Sequence, residues 1–266
     1  MKEKETNMKD PVMLIPDVHG RTFWKEAKEF DGEIVFLGDY VDPYTYYEEI
    51  TSNEALANFE EILEFAKSNP KVTLLLGNHD LTYFVSTLIC ECRTDYENFP
   101  KIHSLFYDNK DMFKLAKCIE YNGETVLLTH AGVHVKWLEP DIEERDPFKV
   151  ADILNEKFSE LVHRDQIPRR DPFISMLADV SYYRGGWTNT GSCVWADVHE
   201  WEVEELFNGE KLDCYQIFGH TRLEKGYPVI GKNIACIDAR ECYTLDYILE
   251  KRKENIEKNE SERDNS

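Results

Sequence analysis

The sequence predicts an α/β sandwich with a functional site at one edge of its sheets. Three observations predict it: several short apolar runs end in turns, those turns carry aspartate, histidine and asparagine, and a helical pattern separates two of the runs. In open α/β sheets, ligands collect outside the carboxyl ends of the strands. Polar residues that follow successive strands therefore indicate one shared site.

Short apolar runs that stop at turn residues are typical of buried strands. Five such runs are Val12–Pro16, Ile34–Leu37, Val72–Leu76, Thr125–Thr129 and Tyr215–Phe218. Near the C-terminus, Ile234–Asp238 and Tyr243–Ile248 alternate between apolar and other residues on either side of Ala239-Arg240-Glu241. This pattern predicts a hairpin.

A helix is predicted between the second and third strands. Thr51 and Glu54 form a capping box, and Asn69-Pro70 ends the pattern. The apolar positions at helical spacing are Ala55, Phe59, Ile62, Leu63 and Ala66. Because strand, helix and strand form a crossover unit, the first three strands are expected to pair in parallel.

The turns after the strands carry metal-ligand chemistry. They read Asp17-Val18-His19-Gly20, Gly38-Asp39-Tyr40-Val41-Asp42, Gly77-Asn78-His79-Asp80, His130-Ala131-Gly132 and Gly219-His220-Thr221. Carboxylate and imidazole suit manganese, iron or zinc, whereas a structural zinc site usually draws on cysteine, which is absent from all five turns. The sequence therefore predicts two adjacent divalent metal ions.

The spacing suggests which residues bind each ion. Asp17 and His19 are two residues apart, so both point to one side if the extended backbone continues. With Asp39 they would hold the first ion. The second ion would be bound by Asp39, Asn78, His130 and His220. Asp39 would then bridge two ions roughly 3.5–4 Å apart, as in two-metal hydrolases.

His79 and Asp80 remain after the ligands are assigned. A histidine with an adjacent carboxylate at a metal centre is a candidate general acid, with the carboxylate orienting the ring. We therefore expect His79 to protonate a leaving group and Asp80 to hold it.

The five turns, in this order, resemble the motifs of the calcineurin-like metallophosphoesterase superfamily. The turn from Gly38 to Asp42 looks particularly like the phosphoprotein phosphatase branch. The resemblance implies a four-layer αββα sandwich of two mixed β-sheets flanked by helices, with a catalytic domain over residues 11–248. It also implies hydrolysis by a hydroxide between two divalent ions, for which we expect manganese, with iron or zinc as alternatives.

The chain departs from that branch at one position. Phosphoprotein phosphatases carry Arg-Gly after the aspartate turn, and that arginine binds the substrate phosphate, whereas this chain has Pro43-Tyr44. The arginines that could replace it are Arg21, Arg184 and Arg222. Arg184 lies in a long segment, residues 133–213, that we expect to recognise substrate. Packing of Arg184 on Trp187 or Tyr183 is the alternative interpretation.

Three functions remain open. The first is a phosphomonoesterase of the phosphoprotein phosphatase type, acting on phosphoserine or phosphothreonine or on a small phosphate ester. The second is a symmetrical dinucleoside polyphosphate hydrolase, because His130–Val133 followed by Trp137 resembles the diadenosine tetraphosphatases. The third, a non-catalytic binding protein on the same fold, is disfavoured because every expected ligand and the acid are present.

Composition constrains the partners. The chain has 266 residues, 42% of them hydrophobic, and a net charge of -21, which disfavours long nucleic acid as a substrate. No segment has the roughly 18–20 consecutive apolar residues of a membrane span. The N-terminus lacks an apolar signal core, so a cytoplasmic location is expected. Residues 1–10 and 250–266 are highly charged and are expected to form flexible tails, the second of them as a frayed helix or a disordered segment.

Overall fold

Two stacked β-sheets form the centre of the protein. The computed structural model describes residues 10–85, 92–168, 171–201 and 211–264. The strands within these residues are β1 (Val12–Ile15), β2 (Glu33–Phe36), β3 (Val72–Leu75), β4 (Phe113–Lys114), β5 (Ala116–Tyr121), β6 (Glu124–Thr129), β7 (Tyr215–Phe218), β8 (Val229–Ile230), β9 (Ile234–Cys236) and β10 (Tyr243–Thr244).

Each sheet has five strands and mixes parallel with antiparallel pairs. The first has the order β10-β1-β2-β3-β4, in which only β10 is antiparallel to its neighbour. The second has the order β5-β6-β7-β9-β8, with β6, β7 and β9 parallel. The predicted parallel pairing of the first three strands is confirmed.

The side chains of each strand alternate between two separate cores, as the two-residue period of a strand requires. In β1, Leu14 packs between the sheets, while Ile15 faces the helical layer. In β2, Val35 packs between the sheets and Phe36 packs toward the helices. Strands buried on both faces in this way read as continuous apolar runs, which explains the absence of alternation in their sequences.

Helices cover the outer faces. The α-helices are α1 (Thr45–Glu48), α2 (Ser52–Ser68), α3 (Asn78–Phe84), α4 (Phe99–Asp108), α5 (Val135–Leu138), α6 (Pro147–Val162), α7 (Pro172–Leu177) and α8 (Leu245–Asp264). Short 3-10 helices span Phe23–Glu29, Lys110–Met112, Tyr182–Arg184 and Val198–Trp201. Helix α2 contacts β3, and α6 contacts β5 and β6. The predicted four-layer sandwich is confirmed.

Helix α2 forms as its sequence predicts. The hydroxyl of Thr51 accepts a hydrogen bond from the amide of Glu54 (3.2 Å), and the Glu54 carboxylate accepts one from the amide of Thr51 (2.8 Å). This reciprocal pair satisfies amides that have no partner inside the helix. The buried face of α2 includes Phe59, Ile62 and Leu63, which pack on the first sheet.

The predicted C-terminal hairpin is wrong. Strand β9 pairs with β7 in the second sheet, whereas β10 pairs with β1 in the first, so the chain crosses between sheets at residues 237–242. An alternating pattern shows that a strand has two different faces but does not identify its neighbour.

The C-terminal residues form a helix. It is α8, which spans Leu245 to Asp264. Leu245, Ile248 and Leu249 anchor its start in the core between the sheets. Residues 1–9 of the expected N-terminal tail lie outside the described residues. Within the described part of the chain, none of the helices combines the length and apolarity needed to span a bilayer.

Candidate metal centre

The carboxyl ends of strands from both sheets meet at one site. Loops after β1, β2 and β3 in the first sheet, and after β6 and β7 in the second, supply its side chains. All six residues expected to bind metal are there, and all are buried: Asp17, His19, Asp39, Asn78, His130 and His220. The topology therefore unites residues that are up to 203 positions apart in the chain.

Several of these residues have an unusual backbone conformation. The φ angles of His19, Asp39, Asp42 and His220 are 45°, 56°, 58° and 62°. Left-handed conformations of non-glycine residues are uncommon, and they concentrate at functional sites, where the surrounding structure holds them in place. The extended backbone that we assumed between Asp17 and His19 is therefore wrong. The two side chains still converge, with His19 Nε2 4.0 Å from Asp17 Oδ2.

Asp39 lies at the middle of the site. Its Oδ2 is 3.4 Å from Nε2 of His19 and 3.5 Å from Nε2 of His130. Its Oδ1 accepts a hydrogen bond from the backbone amide of His79 (3.1 Å). One carboxylate therefore faces imidazoles from both sheets.

Backbone carbonyls fix the ring orientations of two histidines. His19 Nδ1 donates to the carbonyl of Val41 (2.9 Å), and His130 Nδ1 donates to the carbonyl of Leu37 (2.8 Å). A carbonyl oxygen can only accept, so the proton of each neutral ring is on Nδ1. The other nitrogen, Nε2, then carries a lone pair. Metal-binding histidines are commonly oriented in this way.

The lone pairs converge. His130 Nε2 is 3.0 Å from Oδ1 of Asn78 and 3.1 Å from Nδ1 of His220. In a neutral His130 ring with its proton on Nδ1, Nε2 and the Asn78 oxygen are both acceptors and cannot hydrogen-bond to each other. A cation between them satisfies both. The donor set therefore fits a divalent metal that prefers nitrogen and oxygen ligands.

Two triads in the described residues have ligand atoms close enough to hold an ion. One is Asp39, His130 and His220, and the other is His19, Asp39 and His79, with each set of ligand atoms lying within 4.8 Å of one another. Asp39 belongs to both. Burial lowers the pKa of His19 and of His220 well below the usual range, which keeps these imidazoles neutral and able to bind metal.

His79 is held by Asp42 and not by Asp80. Its Nδ1 lies 2.9 Å from Oδ2 of Asp42 and 3.1 Å from the carbonyl oxygen of Arg93. Burial alone would lower the pKa of His79, but Asp39 and Asp42 outweigh it and hold that pKa well above its ordinary value. The expectation that Asp80 orients His79 is wrong, because neighbouring residues of a helix do not face each other.

Asp80 has a different role. Its carboxylate accepts hydrogen bonds from the backbone amides of Asp39 (2.7 Å), Tyr40 (3.0 Å) and Gly77 (2.8 Å). These amides belong to the loops after β2 and β3. Asp80 thus ties together the two loops that carry Asp39 and Asn78.

Two glycines leave room for the ligands. A Cβ at Gly219 would lie 2.3 Å from Oδ1 of Asp17, and one at Gly77 would lie 2.0 Å from Oδ1 of Asp39. Contacts this short do not occur for real Cβ atoms. Any larger residue at either position would displace the carboxylate of Asp17 or Asp39, or the backbone beside it.

A cavity of about 190 Å³ opens above the ligands. Of the three arginines suggested by sequence, only Arg184 lines it. Arg184 is fixed by Asp197, 2.7 Å from its Nε, and it donates to the carbonyl of His220 (3.1 Å) and the hydroxyl of Thr221 (2.9 Å). It is therefore aligned beside a ligand loop.

Arg21 and Arg222 lie outside that lining and contact Glu48 instead. A second arginine that does line the cavity, Arg93, was missed by sequence reasoning. No motif marks it, because only the fold brings the segment after residue 91 to the site. Asp42 was missed too, although its place at the end of the Asp39 turn was a usable signal.

Comparison with known protein families identifies the family to which this chain belongs. The family described as calcineurin-like phosphoesterase matches residues 11–222, which include all six expected ligands and His79. The chain belongs to this family. The protein is accordingly a metal-dependent phosphoesterase, a hydrolase that acts on phosphate esters. No curated protein gives a significant match.

Solved structures of other proteins have a fold similar to that of this phosphoesterase. A cold-active protein-tyrosine phosphatase of the psychrophile Shewanella sp. is 18% identical, with a TM-score of 0.51 over 87% of this chain and 71% of that chain. A point mutant of a cold-active protein tyrosine phosphatase gives a TM-score of 0.54 at the same identity and coverage. At this identity the likeness concerns the fold alone.

Proposed function

We propose that the protein hydrolyses phosphate monoesters, phosphoserine or phosphothreonine or a small phosphate ester, with two divalent ions. The first ion would be held by Asp17, His19 and Asp39. The second would be held by Asp39, Asn78, His130 and His220. The observation that carries this proposal is the position of Asp39, which faces imidazoles of both groups within 3.5 Å. We expect manganese, with iron or zinc as alternatives, because these are nitrogen and oxygen donors without a thiolate.

The bound ions would stabilise charge that develops on the phosphoryl oxygens and would activate the attacking water. The chain's own residues then have three tasks: to hold the phosphoryl group, to supply a proton to the leaving oxygen, and to keep the donors aligned. These tasks fall to different parts of the site.

His79 supplies the proton. Its Nδ1 is engaged by Asp42, so the proton available for transfer is on Nε2. The Asp42 carboxylate beside Nδ1 favours the charged form of the ring, so His79 can protonate a departing alkoxide. His79 also lies close enough to His19 and Asp39 to be a ligand, so its role needs a direct test.

Arg184 and Arg93 hold the phosphoryl oxygens. Both line the cavity, and a guanidinium group matches the geometry of phosphate oxygens. They would replace the family arginine that is absent at Pro43. Arg184 is already immobilised by Asp197 and Thr221, so little conformational freedom is lost when it binds an oxyanion.

A metal-replacement assay tests the proposal. The purified protein is stripped with a chelator, resupplied with manganese, iron or zinc, and assayed on nitrophenyl phosphate, a phosphoserine peptide and a small alkyl phosphate. We expect hydrolysis only with metal, and none from Asp39→Asn. Hydrolysis that survives chelation, or metal binding without hydrolysis of any ester, would overturn it.

A further inference from the structure

Arginines from three separate segments surround one tyrosine ring beside the metal centre. The guanidinium carbons of Arg93, Arg222 and Arg21 lie 3.7, 5.1 and 5.6 Å from the centre of the Tyr44 ring. These distances are within the range of cation–π contacts. Tyr44 directly follows Pro43, the position at which the phosphoprotein phosphatases carry their arginine, and in this chain three arginines from elsewhere surround the Tyr44 ring.

A single glutamate balances part of this charge. Glu48 lies 2.5 Å from Nε of Arg21, 3.5 Å from a terminal nitrogen of Arg222 and 3.8 Å from one of Arg240. Arg93 pairs with no carboxylate among the described residues; it donates to the backbone carbonyl of Asp42 (2.8 Å). We call Tyr44, Glu48, Arg21, Arg93 and Arg222 the Tyr44 cluster.

The Tyr44 cluster carries an excess of positive charge. It has three guanidinium groups for one carboxylate, in a chain whose net charge is -21. Like charges held this close repel, and an anion among them removes that repulsion. Arg93 and Arg222 are exposed and keep donors available for such an anion.

The position of the cluster indicates which anion. The Tyr44 ring lies edge-on to His19, with the ring centres 5.1 Å apart, so the cluster adjoins the first expected ion. Tyr44 and Arg93 line the cavity above the ligands, but Arg222 lies outside it. A phosphoryl group over the metals therefore meets Arg93 and Arg184, and only a group that extends past the cavity reaches Arg222.

We propose that the Tyr44 cluster binds a second phosphate group of the substrate. This inference rests on the proposed function and narrows it to esters that carry at least two phosphates. Arg222 discriminates such substrates from simple monoesters, while Tyr44 and Glu48 position the guanidinium groups. The second phosphate is either joined directly to the one that is cleaved or attached elsewhere on the same molecule.

The proposal is tested by kinetics at saturating manganese on pairs of substrates, in which one member carries one phosphate and the other carries two. For phosphates joined directly, ADP is compared with AMP by KM alone, because hydrolysis of ADP breaks an anhydride and hydrolysis of AMP breaks an ester. For separate phosphates, a hexose 1,6-bisphosphate is compared with the hexose 6-phosphate. We expect a lower KM for the two-phosphate member in at least one pair. The pair that shows the preference identifies the arrangement of the phosphates.

The decisive variant is Arg222→Gln. Loss of a charge-assisted hydrogen bond should reduce the preference for the two-phosphate substrate by about 10-fold or more. Arg145→Gln is the matched control, because Arg145 is similarly exposed, pairs with Glu139 at 3.3 Å and lies outside the cavity lining. Arg222→Lys, which retains the charge, should recover part of the preference.

The outcomes separate this inference from the proposed function. If the wild-type protein prefers the one-phosphate member of both pairs, or if Arg222→Gln loses equally on both members, the second-phosphate site is overturned while monoester hydrolysis stands. If no phosphate ester is hydrolysed with any metal, the proposed function itself fails.

Discussion

Oδ2 of Asp42 lies 2.9 Å from Nδ1 of His79, and both side chains are buried. The other carboxylate oxygen, Oδ1, accepts hydrogen bonds from the hydroxyl of Tyr83 (2.6 Å) and the amide of Asp95 (2.9 Å). Asp42 is therefore itself fixed on three sides. A carboxylate held so firmly can both orient the imidazole and stabilise its charged form.

Asp42→Asn should move the alkaline limb of the pH profile to lower pH. The pKa of His79 is raised, so the protonated acid is present below that pKa and is lost as pH rises through it. Removing the Asp42 charge lowers the pKa, and the limb moves with it. The loss in kcat/KM near pH 8 should be about tenfold, less than when the acid itself is removed. An unchanged limb would exclude Asp42 as the partner of the acid; Asp152→Asn, on the exposed side of α6, is the control.

Asp80→Asn should behave differently. An amide cannot accept from all three backbone amides that Asp80 now binds, so buried donors lose their partner at a cost of about 1–3 kcal/mol. We expect a lower free energy of unfolding and weaker metal binding, measured by denaturant titration and calorimetry. The rate ratio between alkyl and nitrophenyl phosphates should remain that of the wild type. If the ratio of the rates on alkyl and nitrophenyl phosphates changes, Asp80 does support His79 as the general acid.

The contrast between Asp42 and Asp80 shows how far sequence reasoning reaches. The metal-ligand candidates could be found because each directly follows a strand, and parallel strands share one edge. The Asp39 turn marked Asp42 as a candidate but did not identify it as the partner of His79, because the adjacent Asp80 turns back to Gly77 at the start of α3 while Asp42 approaches from another loop. Sequence adjacency is a poor guide to which groups face each other on a helix.

The same limit applies to the larger elements. The parallel strands were predictable from apolar runs and one crossover helix. The path from β9 to β10 was not, because alternation does not state which of two stacked sheets a strand joins. The charged residues of helix α8 lack an apolar stripe, so the sequence left open a frayed helix or a disordered tail; Leu245, Ile248 and Leu249 anchor the beginning of the helix.

Gly219→Ala should disrupt the first metal site. Its Cβ would lie 2.3 Å from Oδ1 of Asp17, an oxygen that also accepts a hydrogen bond from the amide of His220 (2.9 Å). Metal binding should weaken by about 10-fold or more, as expected when the support of a ligand is disturbed. Gly231→Ala is the control, since its Cβ would meet its nearest atom at an ordinary 3.5 Å. Equal metal affinity in both variants would show that Asp17 is not a ligand.

Asp39→Asn should impair metal binding more than Asn78→Ala. Asp39 belongs to both ligand triads and carries charge, whereas Asn78 contributes one neutral oxygen near His130. Calorimetric titration with manganese should show that Asp39→Asn weakens both binding events and Asn78→Ala weakens one. Equal losses in the two variants would mean that Asp39 serves a single site.

His79→Asn decides whether His79 is an acid or a ligand. As the acid, its loss should leave the metal content unchanged and reduce turnover of alkyl phosphates by roughly 10²–10⁴-fold. The reduction should be smaller on nitrophenyl phosphate, because a good leaving group departs without a proton in the transition state. Elemental analysis and paired kinetics on the two esters provide both readouts. His79 also lies in a triad with His19 and Asp39, so a ligand role predicts that the variant loses an ion. Loss of metal, or an equal reduction of turnover on both esters, would make His79 a metal ligand. The departing alkoxide would then have no proton donor in this proposal.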